Sequence, residues 1–280
     1  MARASDSKSL TVPGGTLAYD IAGQGPAIVL MHEGIADRRM WDREFGRLSS
    51  NHRVVRYDLR GFGGSSPATE PFSSIDDLRA VIQGLHLDRP VLVAPSMSGR
   101  IAIDFALAHP KEIAGLFLVA PGVSGMQLEY DPEGRAAFDF DERESIAIMA
   151  AWKAGQRDEA EELLRKLWAS ALEGDGLALF RRMVRENPLE VFEDRSAQFD
   201  RRDAPPAAPR LGEVAVPTQV IVGDRDNPSS PRFAGYIARS IPGAKLTIVP
   251  GADHVLNLST PRAFDGALDA FLARLERSTS

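Results

Sequence analysis

The chain contains no cysteine. That absence excludes disulfides, thiolate zinc sites, iron–sulfur ligation and any cysteine nucleophile, while leaving the compartment open. Excess basic charge is also missing: Lys and Arg number 33 against 39 Asp and Glu, a formal net charge of -6 with both signs interspersed. Without a basic stripe there is no footprint for a phosphate backbone and no polybasic anchor for anionic lipid, so neither nucleic acid nor membrane is expected as a partner. Long hydrophobic runs are lacking as well. No stretch approaches the roughly 20 apolar residues that span a bilayer, and the opening MARASDSKSL has no apolar segment of the secretory kind. The expectation is a cytoplasmic protein. What remains is ordinary for a globular chain: 280 residues, 44% hydrophobic and 26% charged, can bury the core of one large α/β domain or two small ones.

Short β-rich runs alternate with amphipathic segments of helix length, the pattern of a mostly parallel sheet flanked by helices. Strands are predicted over 15–20, 27–31, 53–57, 90–93, 115–119, 218–222 and 245–249, several of them almost wholly apolar as doubly covered strands should be. Helices are predicted over 38–48, over 76–84 after a capping box at Ser74 and Asp77, over 98–109 before Pro110, and from Pro261 through Leu275. From 125 to 209 the alternation stops and the periodic segments are all helical. In RDEAEELLRKLWASAL, residues 157–172, Leu163, Leu164, Leu167, Trp168 and Ala171 fall at helical spacing. The segment 125–209 therefore reads as an inserted helical cap, closed by a proline-rich return over 203–209, on a core formed by 1–124 and 210–280.

The chemistry starts at VLVAPSMSG, residues 91–99, where a buried strand meets two serines and an alanine-rich helix. A serine raised on a sharp strand-to-helix turn needs small residues two positions to either side, and the helix N-terminus then offers N–H groups to a developing oxyanion. Ala94 and Ser98 meet that demand around Ser96, whereas Arg100 would collide in the same test on Ser98. Ser96 is the candidate nucleophile and Ser98 a helix-capping serine.

A neutral hydroxyl needs a base, and the base an orienting acid. Of five histidines, His52, His86 and His109 fall at helix ends or turns. His32 and His254 follow apolar strands, where open α/β sheets place their sites. His254, in the loop PGADH, is the candidate base, and His32 reads as an organiser of its own loop. The turn GDRD offers two acids: Asp226, further past the strand end, is favoured as orienting acid, with Asp224 as turn former or partner of an arginine.

The order Ser96, Asp226, His254 on this strand pattern resembles the α/β-hydrolase superfamily over almost the full length, in its helical-cap members. The likeness rests on His32 and Gly34, on YDLRGFGGS at 57–65, on the elbow, and on the GDRD and GADH loops. The resemblance implies an α/β-hydrolase fold and a carboxylic ester hydrolase-like reaction on a small or medium ester, thioester or lactone, through an acyl-enzyme on Ser96, with the oxyanion between the N–H groups of Gly34 and Met97. Two features depart from the family pattern. The elbow has Ala94, Pro95 and Ser98 in place of glycine, histidine and glycine, and Glu33 interrupts the His-Gly pair. Glu33 is expected to turn outward, toward a loop arginine such as Arg38, because burying a lone charge is expensive.

Apolar candidates for the substrate pocket are Ile35, Met97, Met126, Phe138, Trp152, Leu167 and Trp168. No cofactor and no metal site is expected: residue 36 is alanine, so HE lacks the second histidine of H-E-x-x-H, and the glycines of 61–64 miss the dinucleotide spacing. The expected partner is a small-molecule substrate, with the chain a monomer or homodimer. Two other uses of the scaffold stay open, a non-hydrolytic one (lyase, perhydrolase or biosynthetic cyclase) and a ligand-binding, receptor-like one.

Overall fold

A computed structural model of the protein describes residues 8–126, 132–187, 199–201 and 205–279. Eight strands form one sheet in the order β1-β2-β4-β3-β5-β6-β7-β8. They are β1 (Lys8–Val12), β2 (Gly15–Ala22), β3 (Ala27–Leu30), β4 (Arg53–Tyr57), β5 (Val91–Pro95), β6 (Gly115–Val119), β7 (Thr218–Gly223) and β8 (Lys245–Val249). β1 pairs antiparallel with β2 and β2 with β4, and every other pairing is parallel. This is the mostly parallel sheet expected from the alternation, in the arrangement that the α/β-hydrolase resemblance implies.

Strand composition explains position. Every residue of β3, β5, β6 and β7 is buried, as runs such as VLVAP and GLFLV require when helices cover both faces. The edge strands are more exposed: β8 buries only Val249, and β1 only Val12. That exposure hid β1 from the sequence reading, because KSLTV offers little apolar signal and joins β2 through a tight turn at Gly14, whose φ is +72°.

Helices flank the sheet: α1 (Asp42–Leu48), α2 (Ser74–Gly84), α3 (Ser96–Ala108), then further on Ser230–Ser240 and the terminal helix Pro261–Thr279. The cap of α2 is Ser73, which accepts from the Asp76 N–H, one residue before the predicted box. Phe117 of β6 meets Phe264 and Phe271 of the terminal helix at ring separations of 5.7 and 5.8 Å, closing the core on that face.

Between β6 and β7 the described residues contain helices and no strand of the sheet: α4 (Pro132–Lys153), α5 (Arg157–Trp168) and α6 (Gly174–Glu186). Of the segment 125–209, residues 127–131, 188–198 and 202–204, with part of the proline-rich return, lie outside the described residues. The three helices build an apolar cluster of their own, in which Ile148, Leu164, Leu167, Phe180 and Val184 enclose Ile35 and Val255 from loops of the sheet. They therefore sit over the loops that follow β3 and β8. Helix α5 stops at Trp168, short of the predicted 172, because the backbone beyond it bonds to one of those loops instead. The Trp168 carbonyl accepts from the His254 N–H (3.1 Å), and the Ala171 N–H donates to Asp253 (2.9 Å).

Candidate active site

Strand order locates the site. From β3 the chain passes to β4 on one side, and from β5 it passes to β6 on the other, so the loops leaving β3 and β5 diverge at their carboxyl ends. A crevice at such a divergence is where open α/β sheets bind ligands. The β3 loop carries His32, Glu33 and Gly34, and the β5 turn carries Ser96 and Met97.

Ser96 is the first residue of α3 and has φ +47°, a left-handed conformation rare for a residue with a side chain. Its carbonyl accepts from the Gly122 N–H at 3.0 Å, which ties the bend to the loop after β6. The close seating of α3 depends on Gly99, where an added Cβ would lie 2.7 Å from Cβ of Pro121. Ser98 is buried, and its hydroxyl donates to the Pro95 carbonyl (2.8 Å). It braces the turn from within the helix and does not accept a bond as a cap.

Asp226 and His254 meet, from loops 28 positions apart. Both Asp226 carboxylate oxygens lie 2.9 Å from His254 Nδ1, and the Asp226 side chain is fully buried. Nδ1–H donates to the carboxylate, which leaves Nε2 as the basic nitrogen of the neutral ring. The loops can approach because Gly223 ends β7: a Cβ there would stand 2.1 Å from the Ala252 carbonyl oxygen. Asp224 instead accepts from the Gly251 N–H at 2.6 Å and holds the turn. Burial lowers the His254 pKa, but the charge and hydrogen bond of Asp226, with smaller help from Glu33 and Asp253, outweigh it and raise the value to about 9.

His32 is wholly buried. The Leu59 N–H donates to its Nε2 and its Nδ1–H donates to the Glu33 carbonyl, both at 2.8 Å, so the ring is neutral, and burial lowers its pKa further. It fixes the β3 loop to the loop after β4, with Phe62 edge-on at 5.0 Å.

Glu33 corrects the sequence reading. It is 1% exposed, and neither carboxyl oxygen has a hydrogen-bond partner among the described residues. It does not reach Arg38, whose guanidinium pairs with Asp20 and Asp58. Burial raises its pKa to about 7 against the opposing charge of His254, and the carboxylates of Asp253 and Asp226 also raise it. The cation expected to meet an outward Glu33 is already held by Asp20 and Asp58, and a third carboxylate beside them would meet like charge.

The apolar candidates divide. The Trp168 ring lies 5.9 Å from His254, and Ile35 and Leu167 belong to the cluster beneath α5. Trp152 packs on that cluster with Arg157 stacked over its ring at 3.4 Å. Met97 and Met126 pack against the main core. Phe138, by contrast, is 38% exposed and belongs to neither apolar cluster of the described residues, because its position on α4 faces away from both.

Three contributors went unread in the sequence. Asp253, fully buried, accepts from Ala171 and Val255 and so fastens the helical segment to the histidine loop. Asp141 of α4 takes a short hydrogen bond from Ser229, beside the Asp226 loop, and burial raises its pKa. Asn187, after α6, donates to Asp37 (2.7 Å) and accepts from the Gly63 N–H (2.8 Å). Only Asp253 carried a signal, as the carboxylate next to the candidate base. The others depend on contacts between segments far apart in the chain. Among the described residues no group of three or more His, Asp or Glu could hold a metal ion, and no helix is long and apolar enough to cross a membrane.

A model of the alpha/beta hydrolase family matches residues 12–267, and the chain belongs to that family. It is an α/β-fold hydrolase. Its similarities spread over several activities within the fold. A Bacillus subtilis protein named for 2-succinyl-6-hydroxy-2,4-cyclohexadiene-1-carboxylate synthase activity is 24% identical, with 95% of this chain and 98% of that one covered. The 2-hydroxy-6-oxo-6-phenylhexa-2,4-dienoate hydrolase of Burkholderia cepacia is 26% identical, covering 90% and 89%. Among solved structures, a thermophilic esterase from Thermogutta terrifontis superposes with a TM-score of 0.78 at 26% identity, covering 97% of this chain and 99% of that chain.

Proposed function

We propose that the protein is a cofactor-independent serine hydrolase that opens a small or medium carboxylic ester, thioester or lactone through an acyl-enzyme. The observation that carries this reading is the buried Asp226–His254 pair, 2.9 Å apart at the carboxyl edge of the sheet whose β5 turn holds Ser96 at φ +47°. The esterase and hydrolase among its relatives support it.

In this mechanism His254 Nε2 takes the Ser96 hydroxyl proton as Oγ attacks the carbonyl carbon. Asp226 holds the ring in its Nδ1–H tautomer and stabilises the imidazolium. The carbonyl oxygen, now negative, lies between the N–H groups of Gly34 and Met97, each worth about 2.7–4 kcal/mol in the transition state. His254 returns the proton to the leaving oxygen or sulfur as that bond breaks. Water then attacks the acyl-enzyme by the same route and releases the acid. Helices α4, α5 and α6 act as a lid over this crevice, with Trp168 as its wall against the imidazole.

A serine-directed fluorophosphonate followed by peptide mass spectrometry tests the assignment. Adduct on Ser96 in the unmodified protein, little in His254→Ala and none on that peptide in Ser96→Ala is the expected result, with ester turnover lost in both variants. Labelling on Ser98 alone, or none at all, overturns it.

A further inference from the structure

The Glu33 side chain makes no hydrogen bond among the described residues. Both its oxygens are buried, while its backbone carbonyl is held by His32. A buried carboxyl without hydrogen bonds carries a desolvation cost that a fold ordinarily removes by supplying a donor. Ile35, two residues on, packs in the same apolar cluster as Val255, which follows His254, so the Glu33 loop lies against the histidine loop, and the charges of His254, Asp253 and Asp226 act on the carboxyl. It is also one residue from Gly34, whose N–H is the proposed anchor of the substrate carbonyl. A group on the substrate close to that carbonyl is therefore in the position to supply the missing donor.

We propose that Glu33 is a specificity-determining residue that recognises a hydrogen-bond donor, hydroxyl or ammonium, carried by the acyl part of the substrate on the carbon next to the scissile carbonyl. The inference rests on the serine-hydrolase reading above. A site built around a polar partner rejects an analogue that lacks it far more strongly than an apolar pocket rejects a missing methylene, because the buried polar group is then left unpaired.

The test uses 4-nitrophenyl esters of butanoic, 2-hydroxybutanoic and 2-aminobutanoic acid, each corrected for its uncatalysed hydrolysis. The unmodified protein is expected to prefer at least one donor-bearing ester to the butanoate by about 10-fold or more in kcat/KM. Glu33→Ala removes the preference for both. Glu33→Gln, which keeps the size and one acceptor oxygen, loses the preference for the ammonium and retains part of that for the hydroxyl, which identifies the donor. If the three esters are hydrolysed alike, or if the preference survives in Glu33→Ala, the role of Glu33 is overturned while the hydrolase reading stands. If turnover is absent from the unmodified protein, or persists in Ser96→Ala, both are overturned.

Discussion

Glu33 and His254 are two ionisable residues in one buried environment, and their coupling sets a measurable pH dependence. A proton on the imidazole is stabilised by the carboxylates of Asp226, Glu33 and Asp253, and Asp141 lies within the same field. The neutral ring, the form that accepts a proton from serine, prevails above about pH 9. Under the proposed mechanism kcat/KM therefore climbs through neutral pH toward that value. Glu33, with its pKa at about 7, is ionised across most of this range and adds to the imidazolium's stability. Glu33→Gln removes that charge, so the imidazolium gives up its proton more readily and the acid limb moves to lower pH, by up to about one unit. A pH profile of kcat/KM on an ester substrate reads this directly, and a limb that stays in place or moves upward contradicts the coupling.

At the scale of elements, the site depends on how closely β7 and the loop after β8 approach. Gly223 touches the Ala252 carbonyl with no room for a Cβ, and the Arg225 N–H bonds to that same carbonyl at 2.9 Å. Gly223→Ala must push the two loops apart, although neither Asp226 nor His254 is altered. A displacement of about 1 Å in a catalytic constellation costs on the order of 100-fold in rate. The expected outcome is a folded protein whose kcat falls by about that factor, checked by steady-state kinetics beside far-ultraviolet circular dichroism. Unchanged kinetics in a folded variant shows that the approach of the two loops does not govern turnover.

The molecule as a whole is held together by polar joints between the sheet domain and the helices above it. Asn187 links the end of α6 to Asp37 and to Gly63, and Asp37 also receives Arg39. Burial pushes the Asp37 pKa up, but the hydrogen bonds from Arg39 and Asn187 outweigh it and hold the carboxyl at about 2. A carboxyl depressed in this way contributes stability that is present above its unfolded value, near 4, and is lost as pH falls through the folded value. Asn187→Ala leaves the Gly63 N–H without its partner and removes one of the two donors to Asp37 Oδ2, which keeps Arg39, a cost of about 1–3 kcal/mol. Thermal melting at neutral pH should show a fall of about 2–4 °C for each kcal/mol. Because the folded-state Asp37 pKa rises in the variant, less stability is lost on acidification below about pH 4 than in the unmodified protein, and the gap between the two narrows. A variant with the parent's melting temperature at neutral pH dismisses the joint as a source of stability.

The amino-acid sequence by itself determined the layered architecture. Fully buried strands need apolar runs and amphipathic helices need their period, and both are local signals that survive in a linear chain. The exposed β1 carried too little of that signal to be read. Local steric demand also singled out the Ser96 bend, since small neighbours, a strand and a helix meet within nine residues. Tertiary structure alone decided that Asp226 and His254 come within hydrogen-bond distance, that α5 ends where its backbone bonds to the histidine loop, and that Glu33 turns inward. The last of these goes with a distant fact: Asp20 within β2 and Asp58 just after β4 pair with Arg38, the cation expected for Glu33. Whether a charged side chain is buried depends on which counterions the rest of the fold leaves available, and that is fixed only when remote segments pack together.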